Sequence, residues 1–146
     1  MTARRLCTIG YEGKTVDEFL SELGDAGVEL VIDVRAVAAS RRPGFSKTAM
    51  SAALKERGID YLHLRSLGTP KAGREAARKG RNAEMRTIFE GQLQTPEAEL
   101  AMEQANTAAQ EQLAALLCFE ADAGGCHRSM VAERLVERSG FSVTNL

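Results

Sequence analysis

Gly124-Gly125-Cys126-His127-Arg128 is the segment of this chain whose residue types come closest to chemistry. Glycines let backbone groups approach closely, and a helix starting here would turn amide hydrogens and a positive field toward an anion. A phosphate or carboxylate suits such a turn, with Gly125 and Arg128 as its anion-binding residues. The residue spacing and terminal Lys-Ser/Thr pair of a P-loop are absent. Cys126 is the best nucleophile candidate, because a helix N-terminus and the neighbouring Arg128 both favour thiolate over thiol. His127 is a candidate for proton exchange, although adjacency in sequence does not aim its ring at the sulfur. The plain alternative packs Cys126 as a small hydrophobe and leaves His127 at the surface.

Upstream, Glu120 is placed to orient His127, accept a proton or pair with Arg128. Cys118 shares its face by period-two alternation, either as a second sulfur near the site or as a buried core thiol. Asp33 and Arg35 repeat the pattern on another segment. Asp33 is a candidate base or acceptor, and Arg35 offers a fork of donors to a phosphate or carboxylate. An ion pair that fixes the following loop explains the same two residues without chemistry. Cys118, Glu120, Cys126 and His127 are metal-ligating types, but their spacing forces no tetrahedral cage and Arg128 opposes a nearby cation, so neither metal nor cofactor is expected.

Elements that must position these residues are legible around them. Residues 6–11 read as a buried strand. Thr15 and Glu18 have capping-box spacing ahead of Phe19, Leu20 and Leu23, and that helix ends at Gly27. ELVIDVR, residues 29–35, reads as a strand covered on both faces. Pro43 and Gly44 interrupt the chain before Ser46 caps a helix that ends at Gly58, and residues 59–64 form a third strand. The stretch from Arg65 to Gly80 reads as irregular and locally basic, followed by helices over 81–91 and 96–113. Residues 114–121 return to strand. The segment from Cys126 to Gly140 is helical, with a short strand over 141–143.

Strand and helix alternating in this order predict an α/β domain: three compact layers with a mostly parallel sheet and a helical insertion at roughly 71–113, all within a single domain over residues 1–146. In a parallel sheet the ends carrying Tyr11 and Glu12, Asp33, His63 and Arg65, and Glu120 open to one side, where such sheets bind ligands.

Composition narrows the classes further. Among 146 residues, 44% are hydrophobic and 27% charged, as in a globular chain, and no Trp is present, so aliphatic side chains must supply most of the core. A net charge of -1 argues against a broadly basic nucleic-acid coat. The first ten residues hold too short an apolar run for a signal peptide, and no segment is apolar enough to span a membrane, so a cytoplasmic location without membrane partner is expected. Three cysteines without a CxxC pair do not form a secreted disulfide framework.

TIGYEG at 8–13, DVR at 33–35, PGF at 43–45, YLHLRSLG at 61–68, and LLCFEAD with CHRSMVAERL in the last third together resemble the DUF488 family, in order and over most of the chain. The resemblance implies a compact α/β fold and a shared polar site at Tyr11, Glu12, Asp33, Arg35, Glu120, Cys126, His127 and Arg128. It brings no general reaction.

The leading functional expectation is an enzyme or enzyme-like domain acting on an anionic small molecule or nucleotide-like group. Arg35, Arg128 and the helix start would bind charge, while Cys126, or a water assisted by Asp33 or Glu120, would attack. The Cys-x5-Arg loop of a tyrosine phosphatase is absent. The alternatives are a noncatalytic nucleic-acid or phosphate-binding module using Arg74 and Arg78, and a structural domain whose helical segment forms a homo-oligomer.

Overall fold

The computed structural model describes residues 4–146; Met1 to Ala3, the opening of the segment read against a signal peptide, lie outside the described residues. Strands β1 (Arg5–Gly10), β2 (Leu30–Asp33), β3 (Asp60–His63), β4 (Ala114–Cys118) and β5 (Ser142–Asn145) form a five-stranded sheet in the order β3-β2-β4-β1-β5. Every pairing is parallel, so all the carboxyl ends leave the same edge. The helices are α1 (Val16–Asp25), α2 (Lys47–Glu56), α3 (Lys71–Arg78), α4 (Asn82–Leu93), α5 (Pro96–Glu111) and α6 (Arg128–Ser139).

Period-two alternation divides the core between two faces. Leu6, Leu30, Ile32, Ala114 and Leu116 pack with Phe89, Met102 and Leu135 from α4, α5 and α6. Cys7, Ile9, Val31, Ala115 and Leu117 pack with Phe19, Leu23, Met50 and Leu54 from α1 and α2. The sheet therefore lies between two helical layers, as the near-continuous aliphatic strands require. Local signals fix the helix starts. The Thr15 hydroxyl accepts from the Glu18 amide at 3.1 Å while the Glu18 carboxylate accepts from the Thr15 amide at 3.0 Å. Thr95 caps α5 and Pro96 occupies its first turn.

Helix α3 falls inside the stretch that reads as irregular. Its buried face is Gly73 and Ala76, opposite a strongly charged side. What the sequence cannot display is contact with α4: a Cβ at Gly73 would press on Thr69 and Ile88. The inserted helical segment thus comprises α3, α4 and α5. Two boundaries also move. Strand β4 stops at Cys118 instead of continuing to residue 121, and β5 covers Ser142–Asn145, paired along the β1 edge.

The helices that follow β1 and β2 lie on one face, and the helix that follows β4 lies on the other. Strand β4 sits between β1 and β2. Chains therefore part to opposite faces on both sides of its carboxyl end, which is the switch point where open α/β sheets form a crevice. Gly10 permits the tight junction here, because a Cβ at that position would collide with the Glu120 carbonyl. The Glu12 amide then donates to the Phe119 carbonyl at 2.8 Å, extending the β1–β4 contact past the last ladder pair.

Candidate functional site

A cleft of about 360 Å³ opens at this edge. Its charged and reactive lining comes from Arg35, Arg74, Arg78, Glu120, Cys118 and His127, and Tyr11, Val37, Met85 and Phe119 supply apolar walls. Arg74 and Arg78 are one helical turn apart on α3, so both side chains reach the same side. Among the described residues neither forms a salt bridge; the Arg74 guanidinium donates to the Thr69 carbonyl at 2.9 Å. Glu120 is the one acidic residue in the lining.

The floor is built where β4 ends and α6 begins. The sulfurs of Cys118 and Cys126 are joined, with their Cα atoms 7.5 Å apart. The Cys126 sulfur lies 3.8 Å from Nδ1 of His127. Nε2 of His127 donates to the Val34 carbonyl at 2.7 Å, which leaves Nδ1 as the ring's lone-pair nitrogen. Burial pulls the His127 pKa down to about 4, with the Val34 bond opposing, so the ring is neutral near pH 7. An oxygen of Glu120 lies 3.3 Å from the Cys118 sulfur. Burial raises the Glu120 pKa against the opposing charge of Arg128.

Arg128 is fully buried. Its guanidinium donates to the carbonyls of Glu120 and Ala121 and reaches the Cys118 sulfur at 3.3 Å. It is absent from the cleft lining and no carboxylate forms a salt bridge with it among the described residues. Its Nε is buried without a partner, and burial lowers its pKa against the charges of Glu120 and Asp122.

The end of β2 is arranged differently. Asp33 is fully buried and accepts from the Arg35 amide at 3.1 Å, from Arg35 Nε at 2.9 Å, from Arg35 Nη2 at 2.7 Å, and from the Tyr61 hydroxyl. Arg35 also donates to the Phe45 carbonyl at 2.7 Å and to the Tyr11 hydroxyl at 3.3 Å, pinning the loop after β2. Burial works against the Arg35 charge, but the Asp33 bonds prevail and its pKa is raised. Burial and the Asp33 carboxylate raise that of Tyr61.

The remaining expected residues are placed around this frame. Gly125 lines the cleft, but its amide donates to the Asp122 carbonyl, and the Gly124 amide donates to the Asp122 side chain. The amides of Cys126, Ser129 and Met130 are likewise engaged by Ala123, Cys126 and His127 carbonyls. Glu12 accepts from the Ala121 amide at 3.0 Å, His63 contacts the Arg35 carbonyl at 2.8 Å, and Arg65 is exposed on a neighbouring surface. The cleft thus gathers Arg35, Glu120, Cys118, His127 and Tyr11. Asp33 and Arg128 lie beneath it, and Glu12, His63 and Arg65 lie beside it.

Sequence reasoning assigned Arg74 and Arg78 to a nucleic-acid surface, and the structure brings them to the same cleft. Their four-residue spacing is one helical turn within the expected insertion, but which side of the domain that turn faces is a matter of packing. Tyr61 and Gly10 carried no local signal.

A family model described as "Domain of unknown function DUF488" matches residues 15–135. No curated protein and no solved structure gives a significant match.

Proposed function

The chain belongs to the DUF488 family, and within it we propose an enzyme-like domain that binds a small anionic molecule at the carboxyl edge of its sheet. The observation that carries this reading is the convergence of Arg35, Arg74 and Arg78 on one cleft whose lining holds a single acid, Glu120. Arg35 is held by Asp33, whereas Arg74 and Arg78 form no salt bridge among the described residues and are the arginines with N–H donors to spare for a phosphate or carboxylate group. Tyr11, Val37 and Phe119 offer an apolar wall to the body attached to that anionic head, as a nucleotide-like ligand would have. Phe119 is 43% exposed, so covering it would add burial to charge recognition.

Reactive groups stand next to the bound charge. Glu120 retains its proton to a higher pH than a free glutamic acid and faces the cleft, which suits proton donation to a leaving oxygen. Asp33 serves as the anchor that aims Arg35.

Titration calorimetry with inorganic pyrophosphate and with a nucleoside monophosphate tests the reading. Saturable equimolar binding that weakens with salt is expected, and Arg78→Glu should weaken it by about tenfold or more. Absence of saturable binding, or wild-type affinity in both Arg74→Glu and Arg78→Glu, would overturn it. Preference for a single-stranded oligonucleotide over both small anions would replace it with the nucleic-acid alternative.

A further inference from the structure

We propose that Cys118, Cys126 and His127 form a site for a soft divalent metal ion of the zinc class when the two sulfurs are reduced. One ligand atom from each residue lies within 4.8 Å of the other two. Metal–sulfur bonds of about 2.3 Å and metal–nitrogen bonds of about 2.0 Å bring three ligand atoms together on that scale. The histidine is already oriented for ligation. Its Nε2 hydrogen is committed to the Val34 carbonyl at 2.7 Å, and its Nδ1 lone pair lies 3.8 Å from the Cys126 sulfur. A backbone carbonyl on the distal ring nitrogen is the usual outer support of a metal-binding histidine.

Backbone spacing points the same way. The Cα atoms of Cys118 and Cys126 are 7.5 Å apart, wider than the span of about 4.4–6.8 Å usual for a direct sulfur–sulfur link. An ion between two thiolates suits the wider span.

Arg128 supplies an independent argument. A fully buried guanidinium without a carboxylate partner is costly unless negative charge lies close by. The Cys118 sulfur, 3.3 Å from its Nη1, is in place to provide that charge as a thiolate and to accept the hydrogen bond. Two thiolates balance the charge of the ion, and the Cys118 sulfur lies beside Arg128. Glu120 lies 3.3 Å from the Cys118 sulfur, and Cys118 and His127 line the cleft, from which a fourth ligand would reach the ion. Three protein ligands with an open fourth position is the arrangement of catalytic zinc sites.

The loading step balances simply. A thiol or phosphine reductant delivers two electrons to the joined sulfurs, which take up two protons as thiols. The metal displaces those protons as it binds. The inference goes beyond the anion reading and does not require it.

Cobalt serves as the probe. Full-length protein reduced with a phosphine, equilibrated with cobalt(II) and freed of excess metal, should retain it in equimolar amount. It should also show a thiolate-to-cobalt charge-transfer band. Oxidation of the wild type with diamide should abolish both, as should Cys126→Ser or His127→Gln in folded protein. Reduced, folded wild type that retains no cobalt, or retention that survives oxidation, would overturn the proposal. The oxidised and reduced wild-type arms decide it even if the variants fail to fold. Arg78→Glu should keep the band, so loss of pyrophosphate binding there tests the anion reading separately.

Discussion

Strands β2 and β4 pair in parallel, Asp33 lying opposite Leu117; Asp33 ends β2 with Arg35 two residues on, and Glu120 follows β4 with Arg128 reaching it from the start of α6. At β2 the acid and the arginine satisfy one another: the buried Asp33 receives four bonds from Arg35 and one from the half-buried Tyr61. At β4 the pairing fails. Arg128 turns under the loop to hold the carbonyls of Glu120 and Ala121, while the Glu120 carboxyl points to a sulfur and the cleft. Matching residue types one strand apart therefore give a structural anchor and an open polar floor. A saturated polar group is already held by the protein, whereas one with unused bonding capacity remains available to a ligand.

Replacing Asp33 is the severest way to break this contrast. Asp33→Ala leaves Arg35 buried without its partner, and chemical denaturation is expected to show a loss of about 3–5 kcal/mol. A loss below about 1 kcal/mol would mean that Asp33 is not the anchor. The β4 side is next, through pH. His127 is neutral when folded with a pKa near 4, against 6.5 when free. Its contribution is therefore complete above pH 6.5 and is lost as pH falls toward 4, because the unfolded chain takes up the proton first. The total is on the order of 3 kcal/mol. Denaturation midpoints followed from pH 7 to pH 4 should lose that slope in His127→Gln, and an unchanged slope would contradict it.

Gly10→Ala acts at the seam between β1 and β4, where the added Cβ meets the Glu120 carbonyl. Overpacking of this kind costs about 1–3 kcal/mol. Because the strain falls on the cleft floor, pyrophosphate affinity should fall with stability. An unchanged affinity would detach Glu120 from the site. The smallest effect belongs to Glu120→Gln. Burial favours the protonated carboxyl, so Glu120 stabilises the fold fully below its unfolded pKa and loses that contribution as pH rises through the folded value. The amide should thus leave stability at pH 8 unchanged or higher by less than about 1 kcal/mol, while turnover of any substrate found should fall.

Much of the scaffold was legible without coordinates. The capping box at Thr15 and Glu18, Pro96 in the first turn of α5, and the aliphatic runs at 29–35 and 114–118 are local signals with local causes. Helix α3 fell within the helical insertion expected over roughly 71–113 but was not set apart as a helix of its own, and its close contact with α4 at Gly73 is a tertiary feature. Only the packing of α3 brings Arg74 and Arg78, expected on a nucleic-acid surface, to the cleft.

Sequence by itself determined the alternation of strands and helices, the family, and which residue types stand at the strand ends. The expected strand-face pairing of Cys118 with Glu120 and of Asp33 with Arg35 does not hold as such, because β4 ends at Cys118 and β2 at Asp33. Only the tertiary structure decided that Asp33 is consumed by Arg35 and Tyr61, that Arg128 is buried beneath the loop instead of facing a ligand, and that α3 adds its arginines to the cleft. The physical reason is that availability for chemistry depends on which partners have already satisfied a polar group. Some of those partners are near in sequence, as Arg35 is to Asp33, and others are distant, 28 residues in the case of Tyr61 and Asp33.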